Sequence, residues 1–403
     1  MKTSSSKIKQ VIFVALTTYQ LFIAEVYANY IKNCYPVFEV LIISVGVEKL
    51  DIFTQNIRYC QIKNLNGDKV HRFWQRLFYG GFLFSLSSIS RGIESADNAV
   101  LFLFNDNEPI TNKIMREMKK KNTCISVIID EGIGTYAETT NKELNIKQLL
   151  RYYLTSLIGS PMQYKVIGDN KLIDCALVGN KELYDSLDKS KNQVVFEQNK
   201  TALFSEGNSF IRRKYLQNKQ IDSFDILYLG QPFSEYGKLT EKEETYLDWL
   251  FGIVCKNYKV VIKPHPRDAN QKYDSLLKKW KNTKMFDERL SSLPIECIAG
   301  GINMKVVISH KSSAGINIAN LVRQICCIFT YKCGITPYIC EEGDSAYSDT
   351  IFKSVNDNIF IPASKSEVIK IISKHVGIEN DNTFDTQKNG GYSEIDNVMK
   401  YVT

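Results

Sequence analysis

Short, uninterrupted apolar runs alternate along this chain with segments whose apolar residues recur at helical spacing. "VIFVAL" (11–16), "VLIISVG" (40–46), "AVLFLFND" (99–106) and "TCISVIID" (123–130) read as strands. Residues 21–33, 71–92 and 111–122 read as the helices between them, with Gly80 and Gly81 interrupting the second. The pattern then loosens. A helix at 148–159, strands at 173–179 and 193–198, and a polar, basic helix at 208–223 lead into an interdomain linker. A second series opens with "FDILYLGQP" (224–232) and a helix at 241–257. It continues through "KVVIKPHP" (259–266), a helix at 270–281, a strand at 304–309 and a helix from Ala314. Strands at 323–331 and 358–362 and a closing helix at 364–377, N-capped by Ser364, complete it.

Strands that are apolar on both faces belong in a parallel sheet covered by helices on both sides. Two such series predict an α/β protein of two Rossmann-like domains with a cleft between them, residues 1–222 and 223–403. In parallel sheets, ligands bind beyond the carboxyl ends of the strands. Chemistry is therefore sought where polar residues follow a strand.

Composition narrows the classes. The 403 residues are 44% apolar and 24% charged, with 22 Tyr and 21 Phe, which fits a folded globular chain and not a disordered one. The net charge of +7 is diffuse. No arginine-rich arm, RNP pattern or zinc-finger spacing accompanies it, so nucleic acid is not an expected partner. Anionic small substrates or an anionic membrane surface suit the charge better. Ten cysteines without a CxxC motif are expected to be reduced and largely buried, as in a cytosolic protein. The basic start and apolar run at the N-terminus imitate a signal peptide. The run is short, however, and Glu25 falls where it should continue, so a first core strand is expected. No uninterrupted apolar stretch is long enough for a transmembrane helix.

Four strand ends carry polar residues. "TTYQ" (17–20) is either a turn with a helix cap or a ligand contact through Gln20. "DEG" (130–132) places Asp130 and Glu131 side by side before Gly132. Two adjacent carboxylates cannot both be buried cheaply; one would serve as a general base, as a cap, or, with further ligands, on a metal. "KPHPR" (263–267) holds His265 between Pro264 and Pro266, which stiffen the backbone, and between the charges of Lys263 and Arg267. An imidazole so placed suits an anionic leaving group. "SHKSS" (309–313) ends at a small-residue helix, whose N-terminus with Ser312 and Ser313 would bind a phosphate or simply be capped.

In this order, "DEG", "KPHPR" and "SS" resemble motifs of the bacterial sialyltransferases. The closest likeness is to the lipooligosaccharide and capsule sialyltransferases (glycosyltransferase family 52), with the polysialyltransferases as near relatives. "ILYLGQP" and "LPIE" (293–296) are similar to the second domain of that family. The resemblance implies a GT-B type fold, CMP-sialic acid as donor, a galactose-terminated glycan as acceptor, and no metal or other cofactor. Carried onto this chain, it makes Asp130 the base and His265 the group at the departing CMP phosphate. Ser312 and Ser313 become phosphate contacts, and Glu296 a ribose contact. Gly230, Lys263 and Pro266 line the donor site, while Gln20, Glu131 and Gly132 lie on the acceptor side. One base opposite the leaving group implies inversion.

Other inverting GT-B transferases, including polysialyltransferases, and a non-catalytic glycan-binding protein of the same fold are the alternative readings. Basic segments at 116–122, 147–153 and 278–282 fit peripheral contact with the inner face of the membrane as well as they fit solvated helix faces. A homodimer is compatible with all of these readings.

Overall fold

The computed structural model describes residues 10–50, 57–62, 98–121, 123–136, 166–189, 193–216, 223–233, 240–269, 271–291, 293–300, 302–322, 324–333, 357–377 and 391–402. The helices expected at 71–92 and 148–159 lie outside them. The chain forms two compact units. One comprises residues 1–199 with 390–403, the other residues 200–389. The sequence reading had divided the chain at 222/223 and left the C-terminal tail with the second domain.

The first unit is built on a seven-stranded parallel sheet. Its strands are β1 (Gln10–Ala15), β2 (Glu39–Val45), β3 (Arg58–Ile62), β4 (Asn98–Leu103), β5 (Thr123–Ile129), β6 (Cys175–Val178) and β7 (Val194–Glu197). Their order is β3-β2-β1-β4-β5-β6-β7. Strand β1 is buried along its whole length. Its register with β4 pairs Phe13 with Phe102, whose rings stack at 4.7 Å. Helix α1 (Thr18–Cys34) follows β1, α2 (Pro109–Lys121) precedes β5, and the short α3 (Lys181–Asp185) follows β6. Glu25, which argued against a signal peptide, is buried on α1 and accepts the Leu50 N–H at 3.2 Å.

The second unit opens with α4 (Lys200–Ile211), which winds into a wider turn over Arg212–Leu216. Its sheet has six parallel strands: β8 (Ile226–Leu229), β9 (Val260–Lys263), β10 (Thr283–Met285), β11 (Val306–Ser309), β12 (Cys326–Phe329) and β13 (Ile359–Phe360). Their order is β10-β9-β8-β11-β12-β13. Helices α5 (Thr240–Val254), α6 (Asp274–Lys279), α7 (Glu288–Ser291), α8 (Glu296–Ala299), α9 (Ser313–Leu321) and α10 (Lys365–Val376) belong to the same unit. Tyr228, Tyr246, Phe251, Ile262 and Ile308 lie in its core cluster. Ser364 caps α10 as expected, accepting the Glu367 N–H.

In both sheets the strand order reverses beside the first strand, between β1 and β4 and between β8 and β11. Such switch points leave a crevice at the strands' carboxyl ends. Nine cysteines are described, all of them free, and seven are buried. No helix among the described residues is long and apolar enough to cross a membrane.

The tail returns to the first unit as α11 (Ser393–Val402). Two α1 tyrosines and one just beyond α1 receive the helix. Tyr27 donates to Glu394 at 3.2 Å, Tyr30 and Tyr35 donate to Asp396 at 3.0 and 2.9 Å, and Tyr392 packs edge-on against Tyr27 and Tyr30. Hydrogen bonds to a charged acceptor are worth about 1.5–3 kcal/mol. Asp396→Ala therefore lowers the unfolding midpoint of the first unit, measured as faster amide exchange throughout α1, and leaves the second unit's exchange unchanged.

Candidate active site

The carboxyl end of β5 carries the first candidate group. Asp130 is completely buried. Its Oδ1 accepts the Gly132 N–H at 2.6 Å. Its Oδ2 accepts the Tyr136 hydroxyl at 2.6 Å and the Gly179 N–H at 3.0 Å. Gly132 reaches back to Asp130 because its φ is +133°, a backbone region that glycine enters without steric cost. Tyr136 in turn accepts the Asn180 N–H at 2.9 Å, so β5 and the end of β6 are fastened together through one carboxylate. Burial, with the nearby Asp130 charge, pushes the Tyr136 phenol well above its ordinary range, which keeps it a donor.

Glu131 is placed differently. It is only partly buried, and Gln20 donates to its Oε2 through Nε2. The other end of the Gln20 amide accepts the Leu16 N–H at 2.7 Å, and Thr17 caps α1 by accepting the Gln20 N–H. The cap reading of "TTYQ" is realised by Thr17, while Gln20 orients an acidic side chain. The sequence reading gave Asp130 the base's role and Glu131 an ancillary one. The Asp130 carboxylate has no exposed surface and receives three donors, which suits holding a turn, and Glu131 is the more open of the two.

A further buried carboxylate, unmarked by any motif, closes the end of β4. Asp106 accepts the Gly168 and Asn170 N–H groups at 3.0 and 3.1 Å. Burial pushes its carboxyl up to about 6 against the pull of those donors.

In the second unit, β9 ends in the stiff His265 turn. The His265 N–H donates to Asp268 Oδ2 at 2.8 Å, and the Arg267 N–H donates to His265 Nδ1 at 3.1 Å. Nδ1 is thereby an acceptor, so Nε2 carries the ring proton. Burial lowers the imidazole's pKa, and the Arg267, Lys263 and Lys272 charges add to the effect against the pull of Asp268. His265 is a neutral donor at physiological pH. Asp268 also accepts the Tyr273 hydroxyl at 2.7 Å and Lys272 Nζ at 2.8 Å. Neither Asp268, Lys272 nor Tyr273 carried a motif in the sequence. Their one signal was the i, i+4 charge pair.

Gly230, expected to line the donor site, is constrained from beneath. A Cβ there would lie 2.6 Å from Asp268 Oδ2 and 3.1 Å from the His265 nitrogen, and closer still to the Tyr273 hydroxyl. Its role is to let β8 pass under the His265 turn. Lys263 is buried and donates to the Ser291 carbonyl at 2.7 Å. Burial pulls its ammonium down to about 8, with Glu296 opposing. Glu296 is buried on α8 and accepts from Asn317 Nδ2 at 2.9 Å. That carboxylate braces α8 against α9. Pro266 is exposed, while Ser312 and Ser313 are partly buried at the start of α9. Ser312 occupies the cap position without making a side-chain capping bond. Among the motif residues, His265, Ser312 and Ser313 fit an anion at the β9 and β11 ends.

His310, just past β11, is 1% exposed, and neither ring nitrogen has a hydrogen-bond partner. Phe233 and Tyr246 pack edge-on against it, and burial drops its pKa to about 3. Apart from these strand ends, Arg116, Lys119 and Lys120 on α2, with Lys171, line a hollow of about 480 Å³.

Comparison with known proteins identifies the family. The sequence model of the alpha-2,8-polysialyltransferases matches residues 7–331. The chain belongs to that family. The match falls on the polysialyltransferase side of the likeness that the motifs carried, not on family 52. A search of curated proteins gave no match. Among solved structures, the chain is similar to the UDP-GlcNAc 2-epimerase of Neisseria meningitidis bound to UDP-GlcNAc. The identity is 12% and the TM-score 0.55, over 97% of this chain and 100% of the other. It is also similar to the 2,6-sialyltransferase of a Vibrionaceae Photobacterium species, in a ternary complex with CMP and lactose. There the identity is 12% and the TM-score 0.52, over 88% of this chain and 78% of the other. The GT-B type α/β fold expected from sequence is the one found. This polysialyltransferase-family chain is a sialyltransferase-like glycosyltransferase.

The histidines of the second unit set its acid sensitivity. His265, His310 and His375 all have lowered pKa values, each through burial first. Below about 6.5 the unfolded chain takes up protons that the folded unit refuses, so stability is present above that pH and is lost as pH falls. With its pKa near 3, His310 alone costs about 2 kcal/mol between pH 7 and pH 5. Denaturant midpoints at the two pH values are expected to fall further apart in the natural chain than in His310→Leu.

Proposed function

We propose that this protein transfers sialic acid from CMP-sialic acid to a hydroxyl of a sialic-acid-terminated glycan, with inversion. The family match over most of the chain carries this reading. A galactose terminus, the acceptor expected from sequence, is the second acceptor to test. The His265 turn supports the donor side of the reading. A neutral imidazole with Nδ1 held by a backbone N–H presents an Nε2–H to an anionic leaving group, and the donor needs no proton of its own to lose. Ser312, Ser313 and the first amides of α9 hold the phosphate oxygens, where a helix N-terminus favours negative charge. As the glycosidic bond to CMP breaks, these donors stabilise charge developing on the phosphate.

On the acceptor side we assign the base to Glu131, with Gln20 as the residue that aims it and Asp130 as the anchor of its turn. Glu131 takes the acceptor hydroxyl's proton as that oxygen attacks the anomeric carbon. The reaction is assigned no metal. Contact with an anionic membrane surface, expected of segment 116–122, would engage Arg116, Lys119, Lys120 and Lys171.

Incubation with CMP-sialic acid and a panel of sialic-acid- and galactose-terminated oligosaccharides, with mass analysis of products, tests the reading. Extension of the sialylated acceptors, unchanged by chelator, is expected. Glu131→Gln and His265→Ala lose about 10²–10⁴ in turnover with the fold intact. Asp130→Asn lowers the thermal midpoint. Turnover by Glu131→Gln at the natural rate would remove the base assignment, and absence of any transfer would remove the reading.

A further inference from the structure

Three hydrogen bonds that reach other elements converge on Gln231, the residue directly after Gly230 at the end of β8. Its side-chain Oε1 accepts the Lys311 N–H at 2.6 Å, and its Nε2 donates to the Lys311 carbonyl at 3.2 Å. Its own carbonyl accepts Lys272 Nζ at 2.7 Å. That ammonium also donates to Asp268 at 2.8 Å and pairs with Glu243 at 2.6 Å, all three side chains being almost wholly buried. Asp268 in turn holds the His265 N–H. One continuous network therefore runs from the His265 turn after β9, through β8, to the turn after β11. Strands β8 and β11 flank the switch point of this sheet, where the strand order reverses.

We propose that Gln231 is a positioning residue for nucleotide binding, setting the spacing between the His265 turn and the Ser312–Ser313 turn so that both reach one phosphate. The inference rests on the donor reading given above and names the device that assembles that site. Glutamine is the side chain the clamp requires. A glutamate of equal length accepts the Lys311 N–H but meets the Lys311 carbonyl with a second acceptor. An asparagine is one methylene too short. Both polar ends of the amide are spent on Lys311, so its contribution to the ligand comes through the backbone it holds. Without the clamp, the two turns would move independently and each would contact the phosphate at a separate ordering cost.

The test uses the full chain and titration calorimetry with CMP, with UMP and inorganic phosphate as controls. Gln231→Met matches the side chain's length without its hydrogen bonds. Its Kd for CMP is expected to rise about tenfold, equivalent to one lost hydrogen bond of about 1.4 kcal/mol, with the thermal midpoint within a few degrees of the natural chain. Gln231→Asn, which keeps the amide and loses the reach, is expected to do the same and serves if the methionine variant does not fold. The decisive comparison is Ser312→Ala. It weakens CMP binding in the natural background and is expected to have little further effect in the Gln231→Met background, because Ser312 is then no longer held in place. A purely structural role would lower the midpoint and leave the two losses additive. Unchanged CMP affinity in both Gln231 variants, or full additivity with Ser312→Ala, overturns the proposal while leaving the donor reading intact. Failure of the natural chain to bind any of the three probes overturns both.

Discussion

A carboxylate cut off from water has to be hydrogen-bonded by the protein around it, and in this chain that requirement builds the turns on which function depends. Burying an ionised carboxylate without partners costs far more than a domain's net stability. Asp130 meets the requirement with two backbone N–H groups and a tyrosine hydroxyl. Asp268 meets it with one backbone N–H, a tyrosine hydroxyl and a lysine. Asp106 uses two backbone N–H groups. Each sits just past a parallel strand, and each fixes the path of the chain where a sheet buried on both faces first meets solvent. The side chains beside them, Glu131 and His265, are left partly open. Buried aspartates hold the turns, and their neighbours are free for chemistry.

The same logic applies to two conspicuous charges of the second unit. Lys263 and Glu296 fall in two motifs, yet both are buried, one on a carbonyl and the other on Asn317. Burial pulls each toward neutrality, and the opposite charge of the other pulls it back. Lys263 ties β9 to α7, and Glu296 ties α8 to α9. Rigidity of that kind is what a site needs when its donors must already point at charge that develops only during reaction.

Much of the fold was legible because parallel strands covered on both faces are written as unbroken apolar runs. The interior strands of both sheets were found that way. The edge strands β3 and β10 were not. "RYCQI" and "TKM" are largely exposed and carry no apolar run, since an edge faces solvent along one side. Helix α11 was missed, and its return to the first unit depends on Tyr27, Tyr30 and Tyr35, more than 350 positions earlier. At the site, the motifs pointed to the strand ends where these turns lie. They did not separate Asp130 from Glu131, because the difference is made by Tyr136 and Gly179, which the fold brings in from elsewhere. The Gln231 clamp was silent for a related reason. Its side chain's partners are backbone groups of Lys311, which leave no mark in a sequence.

Residue-by-residue amide exchange at pH 7 tests the claim about buried aspartates most directly. The amides of Gly132, Gly179 and His265, all in loops, donate to Asp130 or Asp268. The account predicts that they exchange as slowly as the flanking strands. Exchange at the rate of an unprotected loop at all three would contradict it.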